Sequence, residues 1–135
     1  MLYLKKAIFF IVFWSVCSSS LTIPQAQERK MRFEGKKILL RYENGLEIRG
    51  DYSSATELKW EALSGPAKGE TGTESIQAVQ IAPDIFFINW LEKSGITVSQ
   101  VLDFSKSTVS AFITYNSGAG RQSTLEKGTF TEVQQ

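Results

Sequence analysis

Histidine is missing from all 135 residues, and the one cysteine, Cys17, falls within the first twenty. Without imidazole there is no Ser-His-Asp or Cys-His nucleophilic system, no histidine general base and no zinc site with a histidine ligand. Catalysis, if there is any, has to rest on carboxylate, lysine, arginine or tyrosine. A basic run is also lacking. The chain carries 15 basic and 14 acidic residues, and without Lys5 and Lys6 the basic count falls to 13. Such a balance argues against binding nucleic acid by neutralising phosphates. No helical period lasts more than a turn or two, and neither an internal repeat nor a domain-sized linker is visible.

The N-terminal segment has the layout of a secretory signal peptide. Lys5 and Lys6 supply positive charge, Ala7 to Val16 (AIFFIVFWSV) forms a short apolar core, and Ser18, Ser19 and Ser20 follow. The core is shorter than the roughly 20 apolar residues that span a bilayer, so no transmembrane span is expected in the mature chain. Cleavage near Ala26 divides the protein into a leader, residues 1–26, and a mature domain, residues 27–135, which is secreted or periplasmic. That cut removes Cys17, and disulfide and thiol chemistry with it. Lipid anchoring at Cys17 is the minor alternative, because Val16 stands where such sites need a small residue.

The mature part reads as strands separated by turns. In KKILLRYENGLEIRGDY, Asn44-Gly45 lies between two alternating runs and predicts a two-residue hairpin turn with positive φ angles. Alternation places Leu40, Tyr42, Leu46 and Ile48 on one face and Leu39, Arg41, Glu47 and Arg49 on the other. Leu58, Trp60 and Ala62 mark a third strand. Ser64-Gly65-Pro66 and the polar AKGETGTE read as a long connection. Further strands are predicted in SIQAVQIA, DIFFINWLE, ITVSQVLDF, STVSAFITY and RQSTLEKGTFTEV. About eight strands at spacings near ten residues predict an all-β fold, a single up-and-down antiparallel barrel. A barrel of this size either fills itself with side chains or holds one small ligand.

Both faces of the strand DIFFINWLE are apolar: Phe86, Ile88 and Trp90 point one way, Ile85, Phe87 and Leu91 the other. The second face is expected to lie under a covering segment, either the mature N-terminus or a partner chain, which makes a homodimer a candidate arrangement. Glu92 shares the face of Phe86, Ile88 and Trp90. Aromatic surroundings would raise its pKa, as suits a general acid or a carboxylate that holds a polar ligand group, whereas a solvated acid beside Lys93 is the plainer alternative. Tyr42 could donate a hydrogen bond to a carboxylate or carbonyl, or simply cover the barrel mouth. Trp60 reads as core, with ligand stacking as the alternative. The glycine-rich stretch Gly65 to Gly72 lacks both a following helix and a Gly-Lys-Ser/Thr element, so it is not a phosphate loop.

The segments FEGKKILLRYENGLEIRGDY, LKW, IAPDIFFINWLEKSGITVSQVLDF and STVSAFITY, from Phe33 to Tyr115, resemble the MoaF-like domains. They are also similar to the bacterial phenolic acid decarboxylases, which carry a comparable Tyr-Glu-Asn-Gly hairpin and Trp-x-Glu-x-x-Gly segment. Both families are lipocalin-like (calycin-type) barrels, so the resemblance implies the same architecture. It also implies a cavity glutamate in proton transfer, falling on Glu92, and a substrate-holding tyrosine, falling on Tyr42. A second tyrosine of the decarboxylases falls on Leu40, and their arginine maps into SGPAKGETG, where only Lys68 and acidic Glu70 stand. Losing a phenolic donor and a cation removes much of what would orient a carboxylated substrate, and a secretion signal departs from the cytoplasmic setting of those enzymes.

The expectation is therefore a non-enzymatic, extracytoplasmic barrel lined by Leu40, Tyr42, Ile48, Trp60, Ile88, Trp90 and Glu92. It would take a small, partly apolar or aromatic ligand, with no cofactor and no metal. The alternative is a cofactor-free lyase or isomerase using Glu92 as proton donor and Tyr42 as orienting group. A filled barrel serving structure or protein interaction is the third reading.

Overall fold

The computed structural model describes residues 30–134; the leader expected over residues 1–26 lies outside that range. The described residues are all β: β1 (Lys36–Tyr42), β2 (Glu47–Tyr52), β3 (Glu57–Ala62), β4 (Thr71–Ser75), β5 (Gln77–Ala82), β6 (Ile85–Leu91), β7 (Thr97–Asp103), β8 (Thr108–Ser117) and β9 (Gly120–Val133). They form one antiparallel sheet in the order β4-β3-β2-β1-β9-β8-β7-β6-β5. The long β9 pairs with β8 on one side and β1 on the other, with Phe130 opposite Leu40. It thereby joins the two meanders and curls the sheet into a nearly closed, lipocalin-like barrel. The seam lies between β4 and β5, which Ile76, itself buried, links directly.

Nine strands are present where about eight were expected. The additional one is β4, which falls within the polar stretch read as a connection. Its inward positions are Gly72 and Glu74, so it lacks the apolar alternation that marks a half-buried strand. Its pairing with β3 sets Gly72 opposite Trp60, and a Cβ at Gly72 would collide with the Trp60 indole. Glu74 accepts the indole N–H at 3.1 Å. β4 is therefore specified by the tryptophan it receives.

The expected face assignment holds around the first hairpin. Leu40 and Tyr42 are buried, while Arg41 pairs with Glu47 and Arg49 with Glu61 on the outside, each at 3.1 Å. The turn itself differs from the two-residue form. Only Gly45 has positive φ, at 87°, and Tyr42 N–H donates to Leu46 O while Gly45 N–H donates to Tyr42 O. This is a three-residue loop, a type I turn closed by a left-handed glycine. Asn44 keeps ordinary φ and uses its side-chain oxygen to accept from Leu46 N–H. The β6–β7 connection repeats the device: Glu92 N–H donates to Ile96 O, Gly95 N–H to Glu92 O, and Gly95 has φ 86°. Tyr42 and Glu92 thus occupy equivalent first positions in two equivalent turns at the same end of the barrel.

The other end is plugged. Phe33, from the turn preceding β1, sits edge-on to Tyr52 and Phe86 at ring separations of 5.6 and 5.3 Å. Phe104 continues the cluster to Phe86 and Phe130. Arg32 lies over the Phe104 ring at 5.2 Å and pairs with Asp84 at 2.8 Å. Burying each such side chain is worth about 1.5–3 kcal/mol, and edge-to-face geometry adds to it. Among the described residues the segment before β1 covers this end of the barrel, and on the outer face Phe87 and Leu91 of β6 are exposed, as are Val79 and Ile81 on β5.

Candidate functional site

Between the aromatic plug and the open end lies a cavity of about 230 Å³. Strand alternation builds its walls. Leu40 and Tyr42 come from β1, Ile48 and Tyr52 from β2, Leu58, Trp60 and Ala62 from β3, Trp90 from β6, and Val98 and Gln100 from β7. The connections at the open end contribute Leu46, Ala67, Glu70, Glu92 and Ile96. A wider, open groove runs from this mouth across the outside of β3 and β4, past Lys59, Glu61 and Lys93.

Six of the seven residues expected in the lining are brought together here: Leu40, Tyr42, Ile48, Trp60, Trp90 and Glu92. Ile88 is not among them. It points inward, as its parity requires, but is fully buried in the core below the cavity. Alternation assigns a side chain to a face and says nothing of its depth along the barrel.

Sequence reasoning missed Gln100 and Tyr52. Gln100 is buried and sits at the centre of a polar chain: Tyr52 OH donates to its Oε1 at 2.6 Å, and its Nε2 donates to Tyr42 OH at 3.2 Å. A signal existed in the parity of Val98, Gln100 and Leu102, which puts the amide on the inner face, but a glutamine inside an apolar alternation reads as a break in it. Burial drives the Tyr42 phenol up to about 12, partly offset by the bond from Gln100, and nearby Glu126 raises it further. Tyr52, wholly enclosed, is raised well above its usual range by the same desolvation. Both phenols are therefore neutral at physiological pH. With Tyr42 oxygen accepting from Gln100, its own proton is free to be donated into the cavity.

Glu92 stands at the mouth, about half withdrawn from water. Desolvation raises its pKa; the neighbouring Trp90 indole and the Ser94 hydroxyl pull the other way, and the negative charges of Glu74 and Glu70 push it up again. Ser94 OH donates to it at 3.3 Å, and no ion pair with Lys93 forms. The Trp90 indole N–H is buried without an acceptor in hydrogen-bonding geometry. An unpaired buried donor costs about 1–3 kcal/mol, and such groups call for a physical explanation. Among the described residues no group of three or more histidine, cysteine, aspartate or glutamate side chains is placed to hold a metal ion.

An antiparallel, lipocalin-like barrel with one plugged end and one cavity-bearing end is the class that this geometry defines. Residues 34–131 match the MoaF-like family, and the chain belongs to that family. Among solved structures it is similar to a Burkholderia vietnamiensis protein provisionally named a beta-lactamase, with 25% sequence identity and a TM-score of 0.70, over 78% of this chain and 99% of that one. No curated protein matches it.

Proposed function

We propose that this MoaF-like barrel is an extracytoplasmic small-molecule-binding module, and that residues 27–135 act without catalysis once the 1–26 leader is removed. The observation that carries the reading is the unfilled space of about 230 Å³ behind Trp60 and Trp90. A core that packs its lower half edge to face has the means to fill its upper half, and here it leaves a gap with apolar walls and a few directed polar groups, the composition of a ligand site. The volume falls below the usual range of about 300–1,000 Å³ for drug-sized ligands, so the occupant is small, a single ring with a short chain.

The beta-lactamase name of the Burkholderia protein finds no support in this lining, which contains neither serine nor lysine, the nucleophile and its partner in the serine beta-lactamases. The lyase alternative retains Glu92 as a proton donor with a raised pKa, but the lining holds no arginine or lysine to orient a carboxylated substrate.

Removal of the leader leaves Trp60 and Trp90 as the only tryptophans, so indole fluorescence reports on the cavity and its mouth. Native mass spectrometry of the exported protein is expected to show a bound species of low mass, and its removal should change the emission. A mass equal to the bare polypeptide, together with an emission spectrum indifferent to every small aromatic compound tried, would sink the proposal.

A further inference from the structure

Charge in the cavity is one-sided. Glu70 and Glu92 line it, and no lysine or arginine does. Glu74 lies buried close by, its carboxylate occupied by the Trp60 indole N–H. Among the described residues none of these three acids forms an ion pair; the cations of the outer groove, Lys37, Arg49, Lys59 and Lys93, do not reach the inner lining. Glu92 is half-buried and Glu74 buried, with Glu70 exposed at the rim; the charges of Glu74 and Glu70 act against that of Glu92, and a cation entering between them relieves that cost. A second observation points to a ligand: the Trp90 N–H, on a side chain more than nine-tenths buried in the cavity wall, lies near Glu92 but makes no hydrogen bond of normal geometry with it, and so can still take an acceptor. The Tyr42 hydroxyl adds a second donor with its proton unused. Trp60 and Trp90 supply the aromatic surface at which an ammonium group is stabilised.

We propose that the cavity takes a small organic monocation, an arylalkyl ammonium. Its charged end stops at Glu92 and Glu70, and its ring lies among the apolar walls, carrying an acceptor for the Trp90 N–H or the Tyr42 hydroxyl. This rests on the reading of the barrel as a binding module and specifies the chemistry of its occupant. A carboxylated ligand meets the opposite arrangement: two acids at the entrance and no cation within.

Three probes of nearly equal size and different charge separate the possibilities: tyramine, the neutral 4-(2-hydroxyethyl)phenol and the anionic 3-(4-hydroxyphenyl)propionate. Titration calorimetry of the exported protein near pH 7 and at low salt should show tyramine binding at least about tenfold tighter than the neutral phenol, the equivalent of one well-formed charge pair, with the anion weakest. Glu92→Gln and Glu70→Gln should each weaken tyramine by about fivefold or more and the neutral phenol by much less, so that the ratio of the two affinities falls, which separates loss of charge from loss of fold. Equal or tighter binding of the neutral or anionic probe would overturn the cation assignment and leave the binding module standing. If none of the three binds, the assignment falls as well; the module itself falls only if native mass spectrometry also finds the barrel empty.

Discussion

The two ends of the barrel are made from the same nine strands and do opposite things. At the plugged end Phe33, Tyr52, Phe86, Phe104 and Phe130 interlock edge to face, and the charges around them are paired or capped: Arg32 with Asp84, and Asp103 accepting from the Ser105 and Lys106 backbone N–H groups. At the open end the aromatic residues are Tyr42, Trp60 and Trp90, each with a polar atom. The Trp90 donor lies near Glu92 without a hydrogen bond of normal geometry, and the acids Glu70 and Glu92 face the mouth without partners of opposite charge. A phenylalanine ring leaves no polar atom to satisfy, whereas tyrosine and tryptophan each bring one. Stability is concentrated at one end, and the capacity to recognise something at the other.

Substitutions can break or sharpen this contrast. The largest effect is expected at Phe33, whose ring enters from outside the strands and closes the plug: Phe33→Ala should cost about 3–5 kcal/mol, the range for emptying a buried phenylalanine site. Urea denaturation measures it, and a loss under about 1 kcal/mol would show that the plug does not carry the fold. Between the two ends stands Gln100. Gln100→Leu keeps the approximate volume but deprives the enclosed Tyr52 hydroxyl of its acceptor, so a loss of about 1–3 kcal/mol is expected, together with a Tyr42 phenol no longer fixed toward the cavity. An unchanged midpoint would mean that the polar chain through the barrel is not a structural tie.

The smallest effect belongs to Glu92. Its folded-state pKa is raised, so the folded state binds its proton more tightly than the unfolded state does. The resulting stabilisation is fully present below the unfolded carboxylate pKa and is lost as pH rises through the raised folded value. Glu92→Gln should therefore lose this pH dependence and, at neutral pH, equal or slightly exceed the parent in stability. Urea midpoints of both proteins, compared across the acid and neutral range, test the sign; a variant markedly less stable at neutral pH would show Glu92 to be a structural residue.

Much of the fold is legible in the order of residues alone. Asn44-Gly45 and Ser94-Gly95 mark turns because glycine tolerates the left-handed position that closes them. The alternation of Leu40 with Arg41 and of Leu58 with Lys59 separates inside from outside, whereas β6, apolar on both faces, leaves that choice open. Less is legible at the site. β4 hides in Thr71–Ser75 because its inward glycine and glutamate make sense only opposite Trp60. Gln100 hides because its value lies in two phenols, one 48 and the other 58 residues away along the chain.

By itself, then, the sequence determined where the chain turns and, for strands with one polar face, which side faces inward, since both depend on neighbours two to four residues apart. How deep each inward residue lies was decided only by the tertiary structure: Ile88 is sealed in the core, Glu92 reaches the mouth, and Phe33 closes the far end. Depth depends on the register between strands distant in sequence and on where β9 meets β1, and no local pattern of apolar and polar residues encodes it.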